Sequence, residues 1–469
     1  MSTSTRGIRA FILAVVTALC VGAGGYAAYH WTGADPGDPQ GKTPAGSGRP
    51  AVPATAGTTD VGGPDATAFV AQRPQERPAG WQSWQGRFAR PPLACAADPR
   101  AVACLLVDGT YEALSAVDGR RLWTAGTPEG KGEMPGDGEA YVAPNGDFYV
   151  GGDGVPPVLQ GGRALISLNG RVELRDSADG RRLWTSPGGL RIARYPHRPG
   201  ISGDAVLVSG YTDDYVPVVE AYALDSGVRL WRVPLGPAVQ DAMGEPVYRL
   251  RAVRGGQAYA TAVGSGSDTS DLVRIDVAGG RIAARLKGLP VLGCAQVMAL
   301  RRNVACELPQ TSTGESGTLL LDPRTLARGA TAHLPEGSLV AADDTNALVY
   351  DATRSTLTAA RWEQGTRTGE ATLVHLPDQS APASSTPLLI GARALTVDYT
   401  TLRLLSLPGL TGHVIPVPEA PRERVLPTGD PMDGRKFTDT LRPPQVLALG
   451  GVAHIVYDDA SVVSLALPE

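Results

Sequence analysis

The sequence predicts an all-β fold: an eight-bladed β-propeller, with seven blades as the alternative, preceded by one transmembrane helix and a disordered linker. Three observations predict it. The heptapeptide DGRRLWT occurs twice, from Asp118 to Thr124 and from Asp179 to Thr185. Short β-rich runs divided by glycine or polar turns recur in units of roughly 40 to 60 residues. The composition, 58 Gly and 39 Pro beside 42% hydrophobic residues, suits many turns between short strands.

The chain begins with a candidate membrane span. Residues Ala10 to Tyr29 carry no charge, and the run matches the roughly 20 residues a helix needs to cross the hydrocarbon core. Arg6 and Arg9 precede it while Asp35 and Asp38 stand after it, so residues 1–9 are expected in the cytoplasm. We read 10–29 as an uncleaved signal anchor in the cell membrane, with a cleaved signal peptide and secretion as the alternative, since GGYAA offers small residues near a cleavage point. A lipoprotein reading of Cys20 is disfavoured because Leu19 stands where a small residue is wanted. Either main reading exports the chain beyond residue 30.

Residues 30–80 are Pro, Gly, Ala and Thr with few large apolar side chains. Such a segment cannot bury enough surface to offset its ordering entropy, so it reads as a disordered tether with a reach of about 40 Å. The GKT at Gly41–Thr43 imitates a phosphate loop, but Pro36 occupies the position of the first glycine. A net charge of −4 gives no reason to expect nucleic acid as a partner. Only Lys42, Lys131, Lys287 and Lys436 are lysines among 43 basic residues, a bias that hints at a GC-rich genome such as an actinomycete's.

The repeat can be traced along the chain. A third relative of the doublet, AYALDSGVRLW, places Asp225, Gly227, Leu230 and Trp231 in nearly the same order. A fourth, around Gly279–Gly280 and Arg281, has lost the tryptophan, and weaker echoes continue to the end. Asp-Gly between two β-rich runs is a hairpin signal, because glycine accepts the positive φ of a tight turn. Recurring runs near residues 112, 173, 220, 273, 319, 358, 403 and 463 give eight units in 81–469. The last unit, VAHIVYDDASVVSLALPE, stops before a tryptophan-bearing strand, and GWQSWQGRF at Gly80–Phe88 has one with no hairpin partner. Joining them closes the ring and hides both edges. On this reading the motif is architecture: Asp-Gly makes the turn, the arginines face solvent, and the Leu-Trp pair is buried between blades. Trp84, Trp123, Trp184 and Trp231 are the expected blade-core tryptophans.

The AYALDSGVRLW pattern resembles the PQQ-like repeat of quinoprotein-type propellers, clearly in three units and loosely over the rest of 81–469. The resemblance implies an eight-bladed propeller. It also covers proteins that look like non-catalytic scaffolds or sensors, among them outer-membrane assembly propeller lipoproteins and extracytoplasmic domains of actinobacterial membrane proteins. Quinoprotein dehydrogenases resemble one another in an adjacent Cys-Cys ring and a calcium held by Glu, Asn and Asp. This chain has no adjacent cysteines and no recognisable set of those ligands.

Its cysteines after Cys20 form two local pairs, CAADPRAVAC and CAQVMALRRNVAC, each bracketing a turn. In an exported domain these read as disulfides Cys95–Cys104 and Cys294–Cys306, out of three connectivities that four cysteines allow. The spacings lack CxxC and no histidine stands near, which argues against a metal. The histidines (His30, His197, His333, His375, His413, His454) stand singly, and no HExxH or GxSxG occurs. The acidic pairs Asp213–Asp214, Asp268/Asp271, Asp343–Asp344 and Asp458–Asp459 read as turn residues. No catalytic, cofactor-binding or metal residues are assigned and no cofactor is expected. The expected function is a non-catalytic extracytoplasmic binding, scaffold or sensor module for an unidentified cell-envelope protein, glycan or small ligand; the alternative is a quinone-dependent dehydrogenase.

Overall fold

The computed structural model describes residues 77–126, 141–142, 148–149, 155–192, 199–239, 248–264, 269–290, 293–308, 317–351, 354–362, 365–373, 387–397, 400–417 and 444–468. They form an eight-bladed propeller of four-stranded antiparallel blades, with two additions: a further short strand, Arg191–Ile192, in blade 3, and the separate hairpin Tyr141–Val142/Phe148–Tyr149. The expected anchor at 10–29 and nearly all of the linker at 30–80 lie outside the described residues. No helix among those described is long and apolar enough to cross a membrane.

Blade 1 runs Pro92–Ala97, Ala101–Leu106, Tyr111–Ser115 and Arg121–Ala125; blade 2 runs Val158–Gln160, Arg163–Leu168, Arg171–Asp176 and Arg182–Thr185. Blade 3 takes Gly200–Ser202, Ala205–Tyr211, Pro217–Ala223 and Arg229–Pro234, and blade 4 takes Leu250–Arg254, Gln257–Val263, Thr269–Asp276 and Arg281–Pro290. Blade 5 comprises Gln296–Ala299, Val304–Leu308, Gly317–Leu321 and Arg328–Ala332. Blade 6 comprises Ser338–Ala342, Asn346–Asp351, Thr356–Arg361 and Arg367–Thr372, and blade 7 comprises Leu388–Ile390, Arg393–Val397, Thr401–Ser406 and Thr411–Pro416. The eight runs counted from sequence are the third strands of these blades rather than the innermost ones.

Burial tracks strand position. Second strands such as Ala101–Leu106 and Ala205–Tyr211 are buried at every residue, because a neighbouring blade covers each face. They therefore read as unbroken apolar runs instead of alternating ones. Fourth strands are open: in Arg121–Ala125 only Trp123 and Ala125 are buried.

Those tryptophans lock one blade to the next. In the turn before the fourth strand of blades 1 to 7, the N–H of Gly119, Gly180, Gly227, Gly280, Leu326, Gly365 and Leu410 donates to the carbonyl four residues earlier. All seven residues have φ between +53° and +72°. Trp84, Trp123, Trp184 and Trp231 lie on Gly119, Gly180, Gly227 and Gly280 of the next blade. A Cβ on Gly180 would come to 2.5 Å from the Trp123 ring, and one on Gly227 to 2.6 Å from Trp184. Each indole Nε1 also donates to a turn carbonyl of the next blade: Ala116 at 3.1 Å, Ser177 at 2.9 Å, Leu224 at 2.8 Å and Val277 at 2.8 Å. Trp84, Trp123 and Trp184 are buried, while Trp231 is half-buried.

The rest of the ring replaces this lock by moving side-chain volume across the interface. Blade 4 has no outer tryptophan, and blade 5 puts Leu326 where the glycine would be, in a cluster with Leu286 and Leu289. Leu410 fills the same position in blade 7 beside Leu373. At the blade 5/6 interface Trp362 comes from the blade 6 turn and packs on Leu320 and Ala332. The left-handed backbone at a leucine costs about 1–2 kcal/mol, which the buried side chain offsets.

Blade 8 closes the ring. It takes Gln445–Leu449, Val452–Val456 and Ser461–Ala466 from the C-terminal end and Trp84–Arg87 from the N-terminal end. Trp84 pairs with Ser464 and Arg87 with Ser461. The sequence pointed to this pairing but gave no sign of the first strand, Gln445–Leu449. Gln445 ties that strand to blade 1: its Oε1 accepts from Cys95 N–H at 2.9 Å and its Nε2 donates to Leu93 O at 3.0 Å.

Two readings of the motif are corrected. Its leucine is not buried with the tryptophan: Leu183 and Leu230 are 38% and 53% exposed, because alternation turns them to the outer face. Its second arginine does more than face solvent. Arg121 Nε donates to buried Glu112 at 2.6 Å, and Arg182 lies 3.6 Å from buried Glu173. In blade 3, Arg229 and Arg232 share buried Glu220, which also accepts from the Tyr222 hydroxyl.

Candidate functional site

An antiparallel blade puts its first-to-second and third-to-fourth turns on one face of the ring. The second-to-third loops and the connections between blades fall on the other. The first face is built of short turns such as Gly161–Gly162 and Gly255–Gly256. The second face receives the long connections: those holding residues 127–154, 240–247, 374–386 and 418–443 begin and end there. Loops on a rigid scaffold are where binding residues concentrate.

Among the described residues of this loop face Asn169, Tyr215, Ser355 and Ala460 are non-glycine residues with left-handed backbone, and Tyr215 is the aromatic one. The turn Thr212–Val216 of blade 3 places Tyr215 at φ +59°, in the left-handed region that bulky side chains seldom enter. Two backbone bonds hold it there: Tyr215 N–H donates to Thr212 O at 3.0 Å, and Val239 N–H donates to Tyr215 O at 3.1 Å. The ring stands out at 41% exposure. The Arg191 guanidinium, from the connection between blades 2 and 3, lies 4.8 Å from its centroid. Arg191 also donates to the Tyr215 hydroxyl at 3.0 Å and approaches Asp213 at 4.0 Å. Tyr211, at the base of the same turn, pairs with Arg191 in the sheet and is buried. Burial first, and then neighbouring Tyr248, push the Tyr211 hydroxyl up to about 12, with Arg249 opposing. Tyrosines and arginines from two connections and one turn thus meet between blades 2 and 4.

The arrangement suits recognition. Tyr215 offers a flat amphipathic ring at little conformational cost, and the stacked guanidinium keeps donors for carboxylate, phosphate or hydroxyl oxygens. Among the described residues no group of three or more His, Cys, Asp and Glu is placed to hold a metal ion. The buried carboxylates Glu112, Glu173, Glu220 and Asp271 belong to blade architecture, each held by an arginine of its own blade. Buried Asp98 accepts from the Ser177 hydroxyl of blade 2.

Both expected disulfides are present. Cys95 and Cys104 sit directly opposite one another across the first two strands of blade 1. Cys294 lies just before the first strand of blade 5 and bonds Cys306 in the second. Of the acidic pairs, Asp343 caps its turn, accepting from Thr345 and Asn346 N–H, and Asp459 accepts from Ser461 N–H. Asp271 departs from the turn reading: it is buried in the third strand of blade 4 and accepts from Arg285 at 2.8 Å. Asp268 lies outside the described residues.

Sequence reasoning missed two features. Glu112, Glu173 and Glu220 each stand eleven residues before the blade tryptophan, a spacing visible in all three clear repeats. Tyr215 had no comparable signal, since YTDDY reads as a polar turn and the stacking arginine stands 24 residues earlier, on the short added strand of blade 3.

No protein-family model and no curated protein matches the chain. Solved structures do resemble it in fold. BamB from Moraxella catarrhalis is 12% identical with a TM-score of 0.44, over 81% of this chain and 97% of that one. The computationally designed Ika8 protein is 12% identical with a TM-score of 0.49, over 84% and 100%. Quinohemoprotein alcohol dehydrogenase from Comamonas testosteroni is 10% identical with a TM-score of 0.48, over 86% and 80%.

Proposed function

We propose that this protein is an extracytoplasmic binding module without catalysis of its own, tethered to the cell membrane through residues 10–29. It engages a cell-envelope partner with the loop face between blades 2 and 4. The observation that carries the reading is Tyr215, held in a strained conformation with its ring exposed and Arg191 stacked on it. Strain of this kind persists where surrounding structure enforces it, and it concentrates at functional sites. The two disulfides support an oxidising compartment, and the Arg-flanked apolar run supports an anchor with its N-terminus inside.

The test is site-specific photocrosslinking in the native envelope. A photoreactive side chain replaces Tyr215 in one strain and Arg324, exposed on the turn face of blade 5, in another. Adducts from position 215 and none from 324 support the reading. The reverse pattern, or none from either, defeats it.

A further inference from the structure

His454, in the second strand of blade 8, is fully buried, and neither ring nitrogen has a hydrogen-bond partner. One row of the sheet runs Leu447, His454, Ser464, Trp84 from the axis outward. Ser464 does not satisfy the ring. Its Oγ accepts from Trp81 Nε1 at 2.8 Å, and its carbonyl accepts from Ser83 Oγ at 2.9 Å. The imidazole lies against Trp84, with centroids 5.4 Å apart and planes inclined by 32°. Trp81, Ser83 and Trp84 all belong to the N-terminal segment that closes the ring.

The charged groups around this row are engaged elsewhere. Arg87 on the closing strand donates to Asp459 O, and the Asp459 carboxylate caps Ser461. Arg77 donates to Gly451 O. Across the interface, Glu112 of blade 1 holds Arg121 and the Ala89 N–H. Asp458 sits buried in the turn after the second strand of blade 8. Burial is the one cause that depresses the imidazole, down to about 3.

A proton on this ring is a buried charge with no hydrogen-bond partner. The neighbouring strand that can yield is the closing one, since it joins blade 8 by pairing and indole contacts rather than through a hairpin. We infer that His454 is an acid-triggered latch: uptake of one proton by its imidazole releases the strand Trp84–Arg87 and opens the ring. Because the folded state disfavours the proton, the stabilisation is full above pH 6.5 and falls as pH drops toward 3.

Hydrogen exchange on the full chain, corrected for intrinsic rates, reads the latch. Between pH 7.5 and 4.5, protection of residues 84–87 and 461–464 should fall roughly a hundredfold, while Ala205–Tyr211 in blade 3 keeps its protection. His454→Leu and His454→Gln, which cannot take the charge, should remove the fall. An equal fall in wild type and either variant overturns the latch. Simultaneous loss in blade 3 overturns it too, since that is global unfolding. If neither variant folds, the wild-type imidazole titration decides: ionisation of His454 above pH 6 overturns the inference, and silence down to the pH of opening supports it.

Discussion

Trp123 of blade 1 lies on Gly180 of blade 2 so closely that a single methyl group at 180 would enter its ring. The two residues belong to the two copies of one heptapeptide, so each copy supplies a glycine to the blade before it and a tryptophan to the blade after it.

Gly180→Ala should therefore cost about 2–4 kcal/mol, combining left-handed strain with overpacking. Gly161→Ala is the control. Its φ is +58°, but open space surrounds it, so it should cost only about 1–2 kcal/mol. Urea titration of the two variants checks the difference, and equal losses would mean that the indole yields.

Ring closure predicts unequal truncations. Deleting residues 81–90 removes Trp84 and Phe88, both buried, and should destabilise the domain by at least about 3–5 kcal/mol. Deleting 31–75 should change stability by under about 1 kcal/mol. Melting temperatures of the two truncated proteins decide it.

Alkylation of the unreduced protein should leave Cys95, Cys104, Cys294 and Cys306 unlabelled, and peptide mapping should recover the two local pairs. Replacing either pair with alanine should cost about 2–3 kcal/mol, as expected for loops this short.

At alkaline pH the buried tyrosines set the limit. Burial holds Tyr211 and Tyr259 up to about 12, and it raises Tyr222 as well, with Glu220 adding to the effect. The unfolded chain loses these protons near pH 10, so stability is full below 10 and falls as pH rises toward 12. Tyrosinate absorbance should therefore appear in two steps, with exposed tyrosines first and the buried ones together with unfolding.

Incubation with pyrroloquinoline quinone and calcium should yield neither stoichiometric cofactor retention nor dye-linked oxidation of alcohols or sugars. Turnover would replace the binding reading with an oxidoreductase.

The parts of the fold legible in sequence are those that repeat locally. Asp-Gly turns mark blades 1 and 2, and a related Asp-Ser-Gly turn marks blade 3. Third-strand apolar runs mark all eight, and the unpartnered Trp84 segment pointed to its place beside the C-terminal strand. First strands such as Val158–Gln160 and Leu388–Ile390 were not legible, because three residues carry no period. The exchange of Trp and Gly for Leu326 or Leu410, or of the outer Trp for Trp362 beside a retained Gly365, was hidden for another reason. It is a volume trade between blades, and each half alone looks like a degenerate repeat. At the loop face, the sequence offered Asp213 and Asp214 as turn residues but not the stack of Arg191 on Tyr215, which forms only when the short strand Arg191–Ile192 folds against Gly210–Tyr211.

The pairing of Trp84 with Ser464 also fixes an order of events during synthesis. At roughly 5–20 residues per second, the closing strand is made some 20 to 80 seconds before its partner. For that interval blades 1 to 7 can form only an open arc. Trp84 has no ring to close, and blade 1 has no neighbour on that side. Any event that halts translation before Ser461–Ala466 leaves an arc that cannot close.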